Sequence, residues 1–238
     1  FRAQVADRWR RGNMFILGDA AHLTPPFIGQ GLCAGLRDAM NLAWKLAGVV
    51  NGWLPDTVLD TYEDERIPHA RYMIHFALGM GTAMTAGGKV GDLLRRVVVP
   101  RLHLIPGIRK KIVDSTTPAL RSSALVLKGP GRKRLAGRLC PNSVLVDGCR
   151  LDGVLGRRFA VITSTPLSSI QHSQVTRRGA VPVTAHPGTQ LALWLQTGRA
   201  RAAVVRPDRT VMCAGRDIGT VLDKVPHFAL PAADETRF

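Results

Sequence analysis

Between Gly18 and Leu46 the chain reads GDAAHLTPPFIGQGLCAGLRDAMNLAWKL: an acid, a histidine, a proline pair and a glycine-rich turn ahead of an apolar helical pattern. Asp19 can accept hydrogen bonds from sugar-type hydroxyls, and the C-terminal end of a strand is where open α/β sheets bind ligands. Gly29 and Gly31 let a flat ligand reach the main chain with no Cβ in the way. The helix start at Gly31, Leu32 and Cys33 offers unpaired N–H groups and the positive end of the helix dipole to an electron-rich oxygen. Spacing alone thus describes a ligand-binding turn with a hydroxyl acceptor on one side and a dipole on the other. Plainer readings exist for each residue: Asp19 as a cap, Gly29 and Gly31 as ordinary turn glycines.

The elements that must hold this turn follow from periodicity. Met14 to Leu17 is a short apolar run that predicts a strand ending at Gly18-Asp19. Gly31 to Val50 predicts a helix, with Leu32, Leu36, Met40, Ala43 and Ala47 at helical spacing. Asn51-Gly52 and Pro55 break it; Asp56 can cap a second helix whose pattern runs through Leu59, Tyr62 and Arg66 to Pro68, with mostly helical sequence from there to about Val99. Beyond Leu139 the character changes. Ser143–Val146, Phe159–Thr163, Ala202–Val205 and Thr210–Cys213 read as strands, the last two joined by the turn RPDR at Arg206–Arg209. Helices are expected between Thr189 and Gln196 and near Ile218–Lys224. No internal repeat is visible.

Composition narrows the class. The 238 residues are 45% hydrophobic and 21% charged, a globular balance sufficient for one large domain or two small ones. The net charge of +16 is concentrated: twelve Lys or Arg against the single acid Asp114 fall between Arg95 and Arg138. With Pro100, Pro106, Pro118, Pro130 and the run KGPGRKR, that stretch reads as a solvated, basic linker. No interleaved aromatics accompany the charge, so nucleic acid is not an expected partner. The least polar long run, Tyr72–Gly88, is rich in Gly and Thr, so no membrane span is expected. Cys33, Cys140, Cys149 and Cys213 have neither metal-ligand nor CxxC spacing, which suggests reduced thiols, no metal and a cytoplasmic location.

The segment GDAAHLTPPFIGQGLCAGLRDAMNLAWKLAGVVNG resembles the second flavin-binding motif of FAD-dependent aromatic hydroxylases, the single-component flavoprotein monooxygenases related to para-hydroxybenzoate hydroxylase. LDTYEDERIPHA (Leu59–Ala70) is similar to the segment that follows in that family, nearest to 3-(3-hydroxyphenyl)propionate hydroxylases. The resemblance is specific over about Trp9–Arg96. Past Leu139, CPNSVLVDG and ARAAVVRPDRTV resemble the thioredoxin-like extension of the phenol hydroxylase branch. The implied fold class is α/β: the C-terminal part of a flavin monooxygenase FAD-binding domain (1–100), a basic linker (101–138) and a small thioredoxin-like domain (139–238).

Carried over residue by residue, the resemblance implies that Asp19 bonds the ribityl chain of FAD, with Gly18, Gly29, Gln30 and Gly31 shaping the surrounding turn. It implies that the N–H groups of Leu32 and Cys33 face the flavin C2 carbonyl, where the helix dipole stabilises negative charge. Pro25 and Pro26 lie beside the ring system, and the Pro26 carbonyl is placed near a phenolic oxygen of the substrate. His22 is a candidate acid or base, in a motif position where a structural hydrogen bond is also expected. Position 33 departs from the family's usual Asn, which matters little if only the backbone is used. The implied reaction is hydroxylation of a small phenolic ring with FAD, NAD(P)H and O2.

The family also binds the ADP half of FAD on a G-x-G-x-x-G turn, and no such turn after a strand occurs in these 238 residues. The expectation is therefore the C-terminal portion of a hydroxylase, starting in the strand before GDAAH. An inactive fragment serving as a binding or assembly module, or complemented in trans, is the alternative. Cys140 and Cys149 lie too far apart for a redox dithiol, so a structural or homodimer-contacting role is expected for the last domain.

Overall fold

The computed structural model describes residues 2–26, 29, 31–85, 88, 96, 118–129 and 135–228. The chain divides into two compact units, 1–40 with 62–118 and 41–61 with 119–238. Most of the basic stretch expected as a linker lies outside the described residues.

The first unit opens with two short antiparallel ribbons. β1 (Gln4–Val5) pairs with β4 (His22–Leu23), and β2 (Arg10–Arg11) pairs with β3 (Met14–Phe15). The turn between β2 and β3 needs Gly12, whose φ is +59°. The strand expected over Met14–Leu17 is shorter than predicted; ladder pairing stops at Phe15, although the Ile16 N–H still donates to the Trp9 carbonyl at 3.0 Å. Trp9 is fully buried, its ring stacked on His22 at 5.3 Å and tilted against Tyr62 at 5.6 Å. Glu63 fastens this corner by accepting the backbone N–H groups of Trp9 and, at 3.1 Å, Arg10.

Helix α1 (Gly31–Val50) has the predicted bounds. It ends where Asn51 and Gly52, φ +73°, turn the chain back. Its orientation is the surprise. Leu32, Leu36 and Met40 are exposed, whereas Asp38, Asn41 and Lys45 are buried along with Ala34, Leu42 and Trp44. Residues 31–40 of α1 count with the first unit and 41–50 with the second.

A 3-10 turn at Asp56–Asp60 leads into α2 (Thr61–Thr85). Asp56 is the first residue of that 3-10 turn, whose N-cap position is held by Pro55. Helix α2 does not stop at Pro68, which sits inside it. Proline lacks an N–H and leaves the carbonyl four residues back, that of Asp64, without a helical donor. Asp64 is exposed, so water can serve it. Meanwhile Tyr62, Glu65, Arg66, His69, Ala70, Met73, Ile74 and Ala77 are all buried; packing along that face outweighs the local penalty.

The second unit is built on a four-stranded sheet, β5 (Ala160–Thr163), β6 (Val181–Thr184), β7 (Ala202–Val205) and β8 (Val211–Gly215), in the order β6-β5-β7-β8. β5 and β6 run parallel; β5–β7 and β7–β8 are antiparallel. Both faces are covered, and the strands read as continuous apolar runs for that reason. Phe159, Val161, Ala202 and Val204 face one core with Trp44, Leu54, Val58, Val175, Leu222 and Phe228. Ala160, Ile162, Ala203 and Val205 face the other, with Leu151, Leu155, Leu191 and Leu195. Each fully buried large aliphatic side chain contributes about 1.5–3 kcal/mol relative to exposure.

Around the sheet lie α3 (Leu151–Leu155), α4 (Ser169–Arg177), α5 (Gln190–Thr197) and α6 (Ile218–Leu222). The predicted strand at Ser143–Val146 does not form; Val144 makes a single bridge to Arg150 across the Asp147-Gly148 turn, and both Val144 and Val146 are exposed with no sheet to join. α3, α4 and β6 were not expected. α4 carries a readable signal, a capping box in which Ser168 and Gln171 each bond the other's backbone N–H. Among the described residues no helix is long and apolar enough to cross a membrane, and no His, Cys, Asp and Glu cluster is arranged for a metal.

Candidate functional site

Gly18–Ala20 forms a tight 3-10 turn directly after the β2–β3 ribbon. Gly18 has φ +57°, which favours glycine, and the turn closes with the Ala21 N–H donating to the Gly18 carbonyl at 2.9 Å. The turn rests on α1 at a second glycine: a Cβ on Gly35 would lie 3.2 Å from the Gly18 Cα, a tight contact that the turn would have to yield to by a few tenths of an ångström. Asp19 is exposed, beside an open depression of about 420 Å³ between residues 4–6 and 19–23.

Further along, Pro25 is buried and Pro26 exposed. The Pro26 carbonyl accepts the Gly29 N–H at 3.0 Å and keeps its second lone pair for another donor. Gly29 has φ +61°, and a Cβ added to Gly29 or Gly31 would meet nothing within 4 Å, so the main chain is open on that side. Leu32 and Cys33 are exposed on the first turn of α1, where backbone N–H groups have no intrahelical acceptor. Gln30 lies outside the described residues. An exposed carboxylate, an uncluttered glycine backbone and free helix-terminal donors fit a ligand that is flat, hydroxylated and electron-rich at one carbonyl. FAD meets that description.

His22 faces inward. It is buried, and its Nε2 lies 2.7 Å from Asp38 Oδ2. A carboxylate only accepts, so Nε2 carries a proton and donates it to Asp38. Asp38 is the centre of a buried network missed by sequence reasoning. It accepts the Gly18 N–H at 3.1 Å, His22 at 2.7 Å and Arg66 Nε at 2.7 Å, while Arg66 Nη2 reaches the Ala34 carbonyl at 3.4 Å. Burial alone would raise the Asp38 carboxyl, but the bonds from His22 and Arg66 outweigh it and hold the group below its ordinary value. One signal was available: Asp38 is the sole acid in α1.

His69 is buried beside this network, pushed down to about 3 by burial and by Arg66 and Arg37, and it is therefore neutral. Both of its ring nitrogens, His22 Nδ1 and Arg37 Nη1 have no hydrogen-bond partner among the described residues. Tyr62, also raised by burial, donates its hydroxyl to the Ile16 carbonyl at 3.0 Å and so secures the strand end that precedes Gly18. In the second unit Cys140, Cys149 and Cys213 are free thiols, as is Cys33 in the first, and burial pushes the Cys140 thiol up to about 12 and that of Cys213 to about 11.

Comparison with known proteins places the chain beside flavin-dependent enzymes. Residues 1–77 match the family described as FAD binding domain. A 3-(3-hydroxy-phenyl)propionate/3-hydroxycinnamic acid hydroxylase of Burkholderia cenocepacia (strain HI2424) is 41% identical over 164 residues, covering 67% of this chain and 30% of that protein. The enzyme of the same name from Escherichia coli O157:H7 (strain EC4115 / EHEC) is 31% identical over 257 residues, covering 94% of this chain and 46% of the relative. Thus the chain spans less than half the length of these curated relatives. Among solved structures, the rebeccamycin biosynthetic enzyme RebC with reduced flavin is 26% identical at a TM-score of 0.70, covering 94% of this chain and 47% of that one. OxyS anhydrotetracycline hydroxylase from Streptomyces rimosus, 24% identical, shares the fold at a TM-score of 0.72, over 97% of this chain and 47% of its own. The chain is a relative of the FAD-dependent hydroxylases, and its residues 1–77 belong to the FAD binding domain family.

Proposed function

We propose that the protein carrying this chain is an FAD-dependent monooxygenase that hydroxylates a phenolic ring with NAD(P)H and O2, and that this segment supplies contacts to the flavin and ribityl end of the cofactor. The observation that carries the reading is the pairing of an exposed Asp19 carboxylate with the open glycine backbone at Gly29 and Gly31 and a helix start whose N–H groups have no intrahelical acceptor. FAD supplies the oxygen chemistry when bound; the protein supplies position and electrostatics.

In this reading Asp19 accepts from the ribityl hydroxyls, and the N–H groups of Leu32 and Cys33 receive the flavin C2 carbonyl at the positive end of α1. Gly18, Gly29, Gln30 and Gly31 give the main chain its close approach. Pro25 and Pro26 border the ring, and the remaining lone pair of the Pro26 carbonyl accepts the substrate's phenolic O–H, fixing the ring against the cofactor. His22 serves the turn instead of the substrate, because its donor nitrogen is committed to Asp38 and its ring is sealed under Trp9. The free thiols are those of a protein working in the cytoplasm.

Oxygen uptake by the complete gene product, assayed with FAD, NADH or NADPH and a panel of phenols and phenylpropionates, tests the proposal. One NAD(P)H consumed per ring hydroxylated is expected. NAD(P)H oxidation that no aromatic compound stimulates would overturn it.

A further inference from the structure

Asp38 makes no approach to solvent, yet it is bonded to the backbone of the residue next to Asp19. Its carboxylate accepts the Gly18 N–H at 3.1 Å while His22 and Arg66 each hold it at 2.7 Å. Gly18 packs closely against α1 at Gly35, where an added Cβ would lie 3.2 Å from the Gly18 Cα and press the turn outward. The two contacts act on one peptide: Asp38 pulls the turn toward the helix and the bare Gly35 backbone sets how near it comes. Asp19 follows Gly18 directly in the chain, so the place where Asp38 holds the Gly18 N–H sets where the Asp19 backbone begins, and Gly18 keeps a positive φ that favours glycine.

We infer that Asp38 is a positioning residue for cofactor binding, which acts through the Gly18 N–H to fix where Asp19 presents its carboxylate. The inference rests on the assignment of Asp19 as a ribityl acceptor made above. It explains why an anionic side chain stands in the middle of an apolar helix. A neutral residue could fill that space; a carboxylate alone can take three donors arriving from a turn, a strand and α2 at once. It also gives Arg66 and His22 a task. Both hold the Asp38 carboxylate in place, Arg66 with its charge and His22 with a hydrogen bond, while Asp19 stays exposed on the turn.

The experiment is a double-mutant cycle in the complete gene product, with FAD dissociation constants read from flavin fluorescence and thermal midpoints measured alongside. Asp19→Asn is expected to weaken FAD binding by roughly 5- to 150-fold, the range for one polar group left unpaired. Asp38→Asn keeps the shape and is expected to weaken it within the same range. Combined with Asp19→Asn it should add less than about twofold, because its effect passes through the same carboxylate. Gly35→Ala, which touches no charge, should reproduce both the loss and the lack of additivity by pushing Gly18 away, and it decides the matter if Asp38→Asn does not fold. Additive losses, or unchanged affinity in Asp38→Asn and Gly35→Ala while Asp19→Asn binds weakly, overturn the inference alone. Unchanged affinity in Asp19→Asn overturns the assignment of Asp19, and the inference with it.

Discussion

The guanidinium of Arg206 lies over the indole of Trp44, 5.2 Å from the ring centroid, and its Nε donates to Asp208 at 3.1 Å. Arg206 is fully buried, and its Nη1 also reaches the Leu125 carbonyl at 3.3 Å. Asp208 in turn accepts the Thr210 N–H at 3.1 Å and the Asn41 side-chain amide at 3.4 Å. Arg206→Ala should lower stability by about 3–5 kcal/mol, since it strands a buried carboxylate. Arg206→Met with Asp208→Leu should lose much less, because both charges leave together. Urea unfolding of the two variants makes the comparison; equal losses would contradict it.

Replacing Asp19 by Ala in the complete gene product should weaken FAD retention by about 1–3 kcal/mol, the usual consequence of an unpaired polar group once the ligand excludes water. Secondary structure and melting temperature should be unchanged, as Asp19 is exposed. Equilibrium dialysis against FAD provides the measurement.

Acid should destabilise the first unit in a window set by His69. Its folded value of about 3 lies below the ordinary value near 6.5, so the unfolded chain binds the extra proton first. The neutral ring's contribution is complete above about pH 6.5 and is lost as pH falls from there through 3, with a limiting slope of about 1.4 kcal/mol per pH unit. His69→Met removes the titration, so its stability should fall less steeply than wild type between pH 6 and pH 4. Parallel slopes in urea midpoints across that range would contradict the assignment.

Residues 1–238 alone should bind FAD weakly. The contacts assigned above reach the ring and ribityl chain, and no G-x-G-x-x-G turn is present in the sequence to take the diphosphate. Fluorescence titration should give a dissociation constant well above micromolar; stoichiometric sub-micromolar binding would show that the diphosphate has another seat on this chain.

The reach of the sequence differed by element. The bounds of α1 were legible because glycine and Asn-Gly are strong local signals, and β7, β8 and their turn because both faces of the sheet are apolar. Which side of α1 is buried was not legible. Leu32, Leu36 and Met40 look like a core stripe, but the partners that claim the helix are polar and distant: Arg66 for Asp38 and Asp208 for Asn41. Pro68 misled for the opposite reason, a strong local signal overruled by tertiary packing. At the candidate site, the motif picked out Asp19, Pro26, Gly29, Leu32 and Cys33, which the fold leaves exposed; Asp38, whose contacts depend on three residues brought to it by folding, had no local signature.

The buried polar face of α1 also sets an order of events during synthesis. Asp38 finds Arg66 28 residues later, while Asn41 waits for Asp208, 167 residues downstream. A helix emerging from the ribosome at about 5–20 residues per second therefore spends on the order of ten seconds or more with its second half unmatched. Until the β7–β8 hairpin has been made, Asn41 and Lys45 favour water, and the helix can dock firmly at its beginning before its end. The nascent protein matures from both ends of α1 at different times, with the last step reserved for the turn that carries Asp208.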